Sequence, residues 1–144
     1  FTLCVDSSKG FLSVRRGMLL GYGTGAICAV AVFCGHIWPC FYRFKGGKGV
    51  ATAFGALLSI NWMLGLAALA IVAIGLLASK RMSVGSLLGA ITFPLACYYL
   101  EPEFLYEGSL MALIILIKHR TNIGRLLRGE EPPMGIFKGK EDKK

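Results

Sequence analysis

Two lysines and three glycines in FKGGKGVAT, residues 44–52, stand directly before a long uncharged stretch. Glycine lets backbone N–H groups approach an anion closely, and a helix that begins near Gly49 would direct its positive N-terminus to the same place. Lys45 and Lys48 add positive charge to that backbone. The segment therefore predicts a phosphate-binding loop. It does not match a nucleotide P-loop, because Gly49 follows Lys48 where that motif has Ser or Thr.

The same residues allow a simpler interpretation. Arg43, Lys45 and Lys48 could serve only to orient the chain in a membrane, with the glycines forming a turn. The residue types alone do not decide between an anion site and an orientation signal.

A second group of polar residues lies in HRTNIGRLLRGEE, residues 119–131. On a helix, His119, Asn122 and Arg125 are three residues apart and share one side. An imidazole, an amide and a guanidinium close to lipid headgroups could bind phosphate and support acid–base chemistry. The alternative is a basic amphipathic helix that lies on an anionic lipid surface.

Three other polar residues stand in apolar surroundings. His36 precedes an apolar turn, where a structural hydrogen bond is the favoured role. Asp6 and Lys9 are three residues apart, which on a helix favours an ion pair sheltered between helices over a catalytic pair. A charge within a membrane segment is nevertheless often functional.

Several catalytic patterns are missing from the sequence. The five cysteines form no CxxC pair, so reduced packing residues are favoured over a zinc site or disulfides. There is no HExxH, no pair of aspartates for Mg²⁺, no GxSxG and no His-x4-Asp acyltransferase pattern. A metal-free transfer that uses no enzyme nucleophile fits this inventory best.

The composition predicts a membrane protein. Hydrophobic residues make up 55% of the chain and charged residues 17%, against about a quarter charged in soluble domains. Runs of roughly 18 or more uncharged residues are typical of transmembrane helices. Three such runs, interrupted at most by His36, are residues 17–42, 49–79 and 82–100. We therefore expect an all-α polytopic membrane protein with a bundle of about six transmembrane helices.

The run from residue 50 to 79 is too long for one upright helix, and Asn61 is the expected break. The short central helix then ends near Asn61, and the other predicted helices cover 1–15, 24–38, 62–78, 84–100 and 104–117. With this break, the loop at Lys48, the pair Lys80 and Arg81, and the chain from Lys118 onward share one side of the membrane.

The excess of Lys and Arg makes that side cytoplasmic. The pair Arg15 and Arg16 falls on the opposite side, against the rule. The net charge is +8, and the basic residues lie between apolar segments and in the tail. This distribution fits binding to anionic ligands and lipid headgroups rather than to nucleic acid. Residues 1–131 would form the transmembrane domain, and the polar residues 132–144 a disordered cytoplasmic tail.

The two long motifs also carry a resemblance. GHIWPCFYRFKGGKGVAT, residues 35–52, and HRTNIGRLLRGEE resemble the second and third signature motifs of the bacterial acyl-phosphate:glycerol-3-phosphate acyltransferases, the PlsY family. LCVDSSKG, residues 3–10, resembles the Asp-x-x-Lys-Gly stretch that precedes them. The similarity extends from Phe1 to Glu131.

The resemblance implies a seven-helix enzyme of the bacterial inner membrane, with its active site on the cytoplasmic face. Such an enzyme transfers a fatty acyl group from acyl phosphate to the first hydroxyl of glycerol 3-phosphate. The products are lysophosphatidic acid and phosphate, and neither acyl-CoA, a cofactor nor a metal takes part. We expect a monomer whose partners are the two substrates and membrane lipid.

Residue roles follow from the motifs and the charges together. The expected catalytic residues are Lys48, His119 and Asn122. The expected substrate-binding residues are Lys45, Gly46, Gly47, Gly49, Arg120 and Arg125. The resemblance implies that the glycines line the acyl-phosphate site and that His119, Arg120 and Asn122 bind glycerol 3-phosphate. Glu130 resembles the structural glutamate of the third motif, and whether His119 or a substrate phosphate oxygen takes the hydroxyl proton stays open.

One departure from the family is large. Its first motif, a Gly-Ser-Gly-Asn-x-Gly-Ala-Thr-Asn-like loop with an essential Ser and Arg, is not found in the chain. The expected helices would then correspond to the family's second to seventh, and the chain to a fragment of a longer protein. A non-catalytic carrier for an organic phosphate is the alternative function, but a carrier needs its site near the bilayer midplane.

Overall fold

A computed structural model describes residues 2–40 and 46–137. Within those ranges the chain forms seven α-helices and no strands, which confirms the predicted all-α fold. The helices are α1 (Thr2–Met18), α2 (Tyr22–Ile37), α3 (Val50–Ile60), α4 (Trp62–Ser79), α5 (Met82–Leu100), α6 (Leu105–Lys118) and α7 (Arg120–Leu127). Two short 3-10 turns are added at Pro102–Phe104 and Gly135–Phe137.

The break at Asn61 is present in the structure. Asn61 has extended backbone between α3 and α4, and its side-chain oxygen accepts a hydrogen bond from the Met63 N–H at 2.9 Å. Its amide nitrogen donates to Glu101 at 2.8 Å, which ties this turn to the end of α5. An asparagine that caps the next helix stops α3 after 11 residues and reverses the chain.

Close packing between α1 and α3 depends on two glycines. A methyl group on Gly10 would overlap the Thr52 carbonyl, and one on Gly55 would overlap the Ser7 carbonyl. The Ser7 hydroxyl also donates to the Ala51 carbonyl at 3.1 Å. Small residues that allow backbones to touch are typical of helix contacts in membranes. This contact brings the polar residues of α1 beside the first turn of α3.

Two helices, α4 and α5, are long and apolar enough to span a membrane, while α2 and α3 are apolar but shorter. Much of α4 is exposed and apolar, including Leu66, Leu69, Ile74 and Leu77. A helix that is apolar on its exposed surface suits contact with lipid rather than water.

The described part of the tail contacts the bundle. The Met134 N–H donates to the Lys80 carbonyl at 2.8 Å, and the turn Gly135–Phe137 follows. Residues 138–144 of the predicted disordered tail lie outside the described residues.

Candidate substrate-binding site

The polar residues of interest gather at the end of the bundle where α2 and α6 finish and α3 and α7 begin. Gly49 is the N-cap of α3 and has a left-handed φ of 80°. A Cβ at this position would lie 2.9 Å from the Ile37 side chain and would also collide with the Phe33 ring. Only glycine fits both the conformation and the space. The predicted helix start near Gly49 is confirmed.

The preceding glycines cross the end of α2. The Gly46 N–H donates to the Ile37 carbonyl at 3.1 Å. Gly47 faces the His36 imidazole, so that a Cβ there would lie 2.5 Å from Nε2. On its other side the His36 Nδ1 lies 3.5 Å from the Asp6 carboxylate. The loop of residues 46–49, called the glycine loop below, therefore packs against the His36 side chain.

A continuous chain of hydrogen bonds joins the glycine loop to α7 and the tail. The Lys48 ammonium donates to the Asn122 Oδ1 at 2.6 Å, and the Asn122 Nδ2 donates to the Glu131 Oε1 at 2.6 Å. Glu131 also accepts from the Arg125 Nε at 2.7 Å and from the Ser83 hydroxyl of α5. We call these five residues the Glu131 network. It brings together Lys48, Asn122 and Arg125, which the sequence placed in two separate motifs.

Glu131 is the buried anion on which this network converges. Burial alone would raise the pKa of Glu131, but the hydrogen bonds from Ser83, Asn122 and Arg125 and the charge of Arg125 outweigh it and lower the pKa to about 2. The carboxylate is therefore ionised at neutral pH. It fixes the orientation of the Asn122 amide and holds Arg125 in place.

The structural role expected of Glu130 stays a prediction, and the glutamate that the structure buries is its neighbour, Glu131. Glu130 is exposed and pairs at the surface with Arg128, at 2.7 Å, whereas Glu131 is buried. The physical reason is the turn after α7, where Gly129 has a φ of 71° and the Glu130 N–H bonds back to the Arg125 carbonyl. This turn directs the second glutamate, not the first, toward α5.

His119 lies at the junction of α6 and α7 and is only 2% exposed. Its Nδ1 is 2.8 Å from the Ile115 carbonyl, which can only accept, so Nδ1 carries the proton and Nε2 is the free nitrogen. Burial lowers the pKa of His119, and the charge of Lys48 lowers it further against the opposing effect of the Ile115 hydrogen bond. The ring is thus neutral at neutral pH and has a lone pair available.

The remaining predicted binding residues differ in their positions. Arg120 is exposed at the start of α7, and none of the hydrogen bonds of the Glu131 network involves it. Arg125 is half-buried against Glu131. Burial lowers the pKa of Lys48, an effect that Glu131 partly offsets. Lys45 lies outside the described residues.

Two members of the Glu131 network were missed by reasoning from the sequence. Ser83 is the second residue of α5, and no nearby motif marked it. Glu131 was within the quoted motif, but two adjacent glutamates gave no local signal for which one turns inward.

An apolar cavity of about 170 Å³ lies beneath the polar site, between α3, α4, α5 and α6. Its lining includes Val50, the first residue of α3, and Ile115, whose carbonyl binds His119. Phe54, Phe93 and Met111 line it at greater depth along their helices. The apolar space therefore reaches residues that adjoin a positive charge, a helix N-terminus and a neutral imidazole. Among the described residues, no group of three His, Cys, Asp or Glu side chains could hold a metal ion.

The fold and this site define an all-helical membrane protein with a positively charged edge beside an apolar cavity. The family model for glycerol-3-phosphate acyltransferase matches residues 1–129. The chain belongs to the glycerol-3-phosphate acyltransferase family. It is therefore an acyltransferase and an integral membrane protein.

Individual relatives agree with this assignment. The chain is 42% identical to the glycerol-3-phosphate acyltransferase of Janthinobacterium sp. (strain Marseille), over 95% of this chain and 72% of that protein. It is 40% identical to that of Thermoanaerobacter sp. (strain X514), over 91% of this chain and 68% of the relative. Solved structures of PlsY (YgiH), an integral membrane glycerol 3-phosphate acyltransferase, superpose on 92% of the chain with a TM-score of 0.86 and 28% identity. These are its lysophosphatidic acid and glycerol 3-phosphate forms, and the chain covers 70% and 69% of them.

Proposed function

We propose that this protein transfers a fatty acyl group from acyl phosphate to the sn-1 hydroxyl of glycerol 3-phosphate, releasing lysophosphatidic acid and phosphate. The single observation that carries the proposal is that residues close to the Glu131 network in the chain, Val50 and Met82, line the apolar cavity. One substrate of this reaction has a charged head and a long apolar chain, and the other is a small phosphate ester. A polar edge that continues into an apolar space suits both.

In this mechanism His119, Arg120 and Asn122 bind glycerol 3-phosphate, and the Lys48 ammonium contacts a substrate phosphate. The Asn122 side-chain oxygen accepts a hydrogen bond from Lys48, and its nitrogen donates one to Glu131. The Lys48 ammonium is thereby held in one position. A cation that is fixed before the substrate arrives needs little reorganisation during the reaction. Electrostatic catalysis gains most from such preorganised charges. Arg125, held by Glu131 at 2.7 Å, adds a second positive charge.

An acyl phosphate is an activated mixed anhydride, so the protein needs mainly to position the two substrates and to neutralise charge. The neutral His119 has its Nε2 available for a hydrogen bond to the attacking hydroxyl. A phosphate oxygen of the substrate is the other candidate for the proton. In either case the hydroxyl oxygen attacks the acyl carbon, and the bond between that carbon and the phosphate oxygen breaks.

The proposed location is the inner membrane, with the site at the cytoplasmic face. Lys48, Lys80, Arg81 and Lys118 share the end of the bundle that holds the site, while the acidic turn around Glu101 is at the other end. An excess of positive residues favours the cytoplasm.

Donor choice is the direct test of this function. The protein in lipid vesicles would receive labelled glycerol 3-phosphate with either acyl phosphate or acyl-CoA of the same chain length. We expect labelled lysophosphatidic acid with acyl phosphate and none with acyl-CoA. Product formed only from acyl-CoA would refute the proposed donor. Uptake of label into the vesicles without any acylated product would instead indicate a carrier.

A further inference from the structure

The apolar cavity between α3, α4, α5 and α6 extends from the polar site into the bundle. At the polar end its lining begins with Val50 on α3 and Met82 on α5, which are next in the chain to Gly49 and Ser83. On α5 the lining continues to Phe93, about 16 Å further along the helix at the usual α-helical rise. No later residue of α5, a helix described over its whole length, belongs to the lining.

Three apolar side chains lie at the inner end of this cavity. Leu57 on α3, Phe93 on α5 and Met111 on α6 are the lining residues of their helices that lie farthest from the polar site. All three are buried. We call these three residues the cavity floor. A floor of this composition offers no hydrogen bond to a polar group, so only an apolar chain end suits it.

Phe93 is held firmly in the floor. A Cβ on Gly108 of α6 would lie 2.8 Å from the Phe93 ring and 2.7 Å from the Cys97 sulfur, so the ring lies directly against the backbone of α6. Phe104, which is 0% exposed, approaches Gly108 from the same turn of α6. A ring that is packed in this way cannot turn aside for a longer ligand without strain.

The cavity also reaches the surface of the bundle at its side. Two of its lining residues, Leu3 of α1 and Leu69 of α4, are 63% and 46% exposed. We call this place the side opening. The exposed surface of α4 around Leu69 is apolar and suits lipid, so a chain could pass from the bilayer into the cavity without crossing water.

We infer that this cavity holds the acyl chain of the donor and that Phe93 sets the longest chain that fits. The inference rests on the proposed function, which places the charged head of the donor at the polar site. A chain that fills the cavity from that end reaches the floor, where Phe93 blocks it. Phe93 is therefore a specificity-determining residue and takes no part in the chemistry.

Selection in this cavity works by exclusion. Lipid tails are as apolar as the cavity wall, so a chain that fits gains little by leaving the bilayer. A chain that is too long is forced against the Phe93 ring, and such overpacking is costly. We therefore expect KM for acyl phosphate to vary little with chain length up to a limiting length and to rise by about tenfold or more beyond it.

The test compares two buried rings on either side of Gly108. KM for acyl phosphate would be measured over a series of chain lengths with the wild type, Phe93→Ala and Phe104→Ala in lipid vesicles. Both variants lose a buried ring and should lower Tm. Only Phe93→Ala should move the limiting length to longer chains, because Phe104 is not part of the lining.

Two further variants keep the test usable if Phe93→Ala does not fold. Phe93→Leu should move the limiting length in the same direction by a smaller amount, and Phe93→Trp should move it to shorter chains. A limiting length that is unchanged in all the Phe93 variants, or that moves equally in Phe104→Ala, would overturn the inference. A wild type with no limiting length would also overturn it, since the chain would then leave through the side opening.

Binding of straight-chain alkyl phosphates separates this inference from the proposed function, because these compounds carry no acyl group to transfer. Their affinity, expressed per mole fraction in the lipid, would be measured over the same chain lengths with the wild type and Phe93→Ala. A limiting length that moves in Phe93→Ala supports the inference even if no acyl transfer is found. Acyl transfer with a limiting length that does not move would leave the proposed function intact and refute the role of Phe93.

Discussion

Asn122 is the residue through which the two motifs act as one site. Its oxygen accepts from Lys48 and its nitrogen donates to Glu131, each at 2.6 Å, and its residue exposure is only 3%. The spacing of His119, Asn122 and Arg125 predicted a shared helix side, and Asn122 and Arg125 do converge on Glu131. Which partner each would find was not predictable, because the partners come from the glycine loop and from the tail.

Glu131 and Glu130 give a matched pair of substitutions at the residue scale. We expect Glu131→Gln to lower kcat/KM by about 10²-fold or more, because Asn122 and Arg125 lose the charge that orients them. Glu130→Gln removes only an exposed pair with Arg128 and should change kcat/KM by less than about twofold. Steady-state kinetics of both variants checks this, and similar losses in the two would contradict the assignment to Glu131.

Glu131 also predicts a pH dependence of stability. Its folded-state pKa of about 2 is below the ordinary value of 4.5, so its stabilising effect is fully present above pH 4.5 and is lost as the pH falls toward 2. Thermal unfolding of the wild type should therefore show a fall in Tm across that window. In Glu131→Gln this part of the fall in Tm should be missing. If the variant showed the same fall in Tm as the wild type, the carboxylate would not be stabilised as described.

Lys48 distinguishes a substrate site from an orientation signal. Removing a charge that contacts substrate in a partly desolvated site costs roughly 2–4 kcal/mol, or about 30- to 1000-fold in rate. We expect a loss of that size in kcat/KM for Lys48→Ala. Arg128→Ala, at the same end of the bundle but paired only with exposed Glu130, is the control and should lose little. Equal, small losses would mean that the lysine only orients the chain.

His119 tests the route of the proton. If it is the general base, His119→Gln should lower kcat by about 10²- to 10⁴-fold. Because burial lowers its pKa, the acidic limb of the wild-type rate profile should lie below pH 6.5 and should disappear in the variant. A change confined to KM for glycerol 3-phosphate, with the limb retained, would assign the ring to binding and the proton to a phosphate oxygen.

At the scale of the elements, local signals predicted the bundle well and contacts between helices poorly. The sequence indicated the break at Asn61 and the start of α3 at Gly49, since both depend on neighbouring residues. It did not indicate that α1 would pack on the first turn of α3, because that contact joins Ser7 to Ala51 across 44 positions. The pairing of Asp6 with His36 joins α1 to α2, and no local signal predicted it either.

Gly55 should be essential to that packing. A methyl group there would overlap the Ser7 carbonyl, so we expect Gly55→Ala to lower Tm and to reduce acyl transfer by displacing α1 from α3. A methyl group on Gly23 of α2 would meet no other atom within 4 Å, so Gly23→Ala is the control and should be neutral or slightly stabilising. Equal Tm values for the two variants would show that the close contact is not required.

At the scale of the whole molecule, the polar site and the apolar cavity are consequences of one arrangement. The helices α3, α4, α5 and α6 surround an apolar space, while α7 and the tail cover its polar end through Glu131. The exposed apolar surface of α4 suits lipid, which would let an acyl chain stay in the bilayer while its phosphate reaches the polar edge. The proposed mechanism therefore requires that release of phosphate and formation of the new ester occur together.

The most direct measurement is the stoichiometry of that coupling in lipid vesicles. Phosphate released from labelled acyl phosphate and lysophosphatidic acid formed from labelled glycerol 3-phosphate would be counted in the same reaction. We predict one phosphate for each lysophosphatidic acid, with both falling together in Lys48→Ala. Phosphate release that continues without glycerol 3-phosphate at the same rate, or acylated product without phosphate release, would contradict the mechanism.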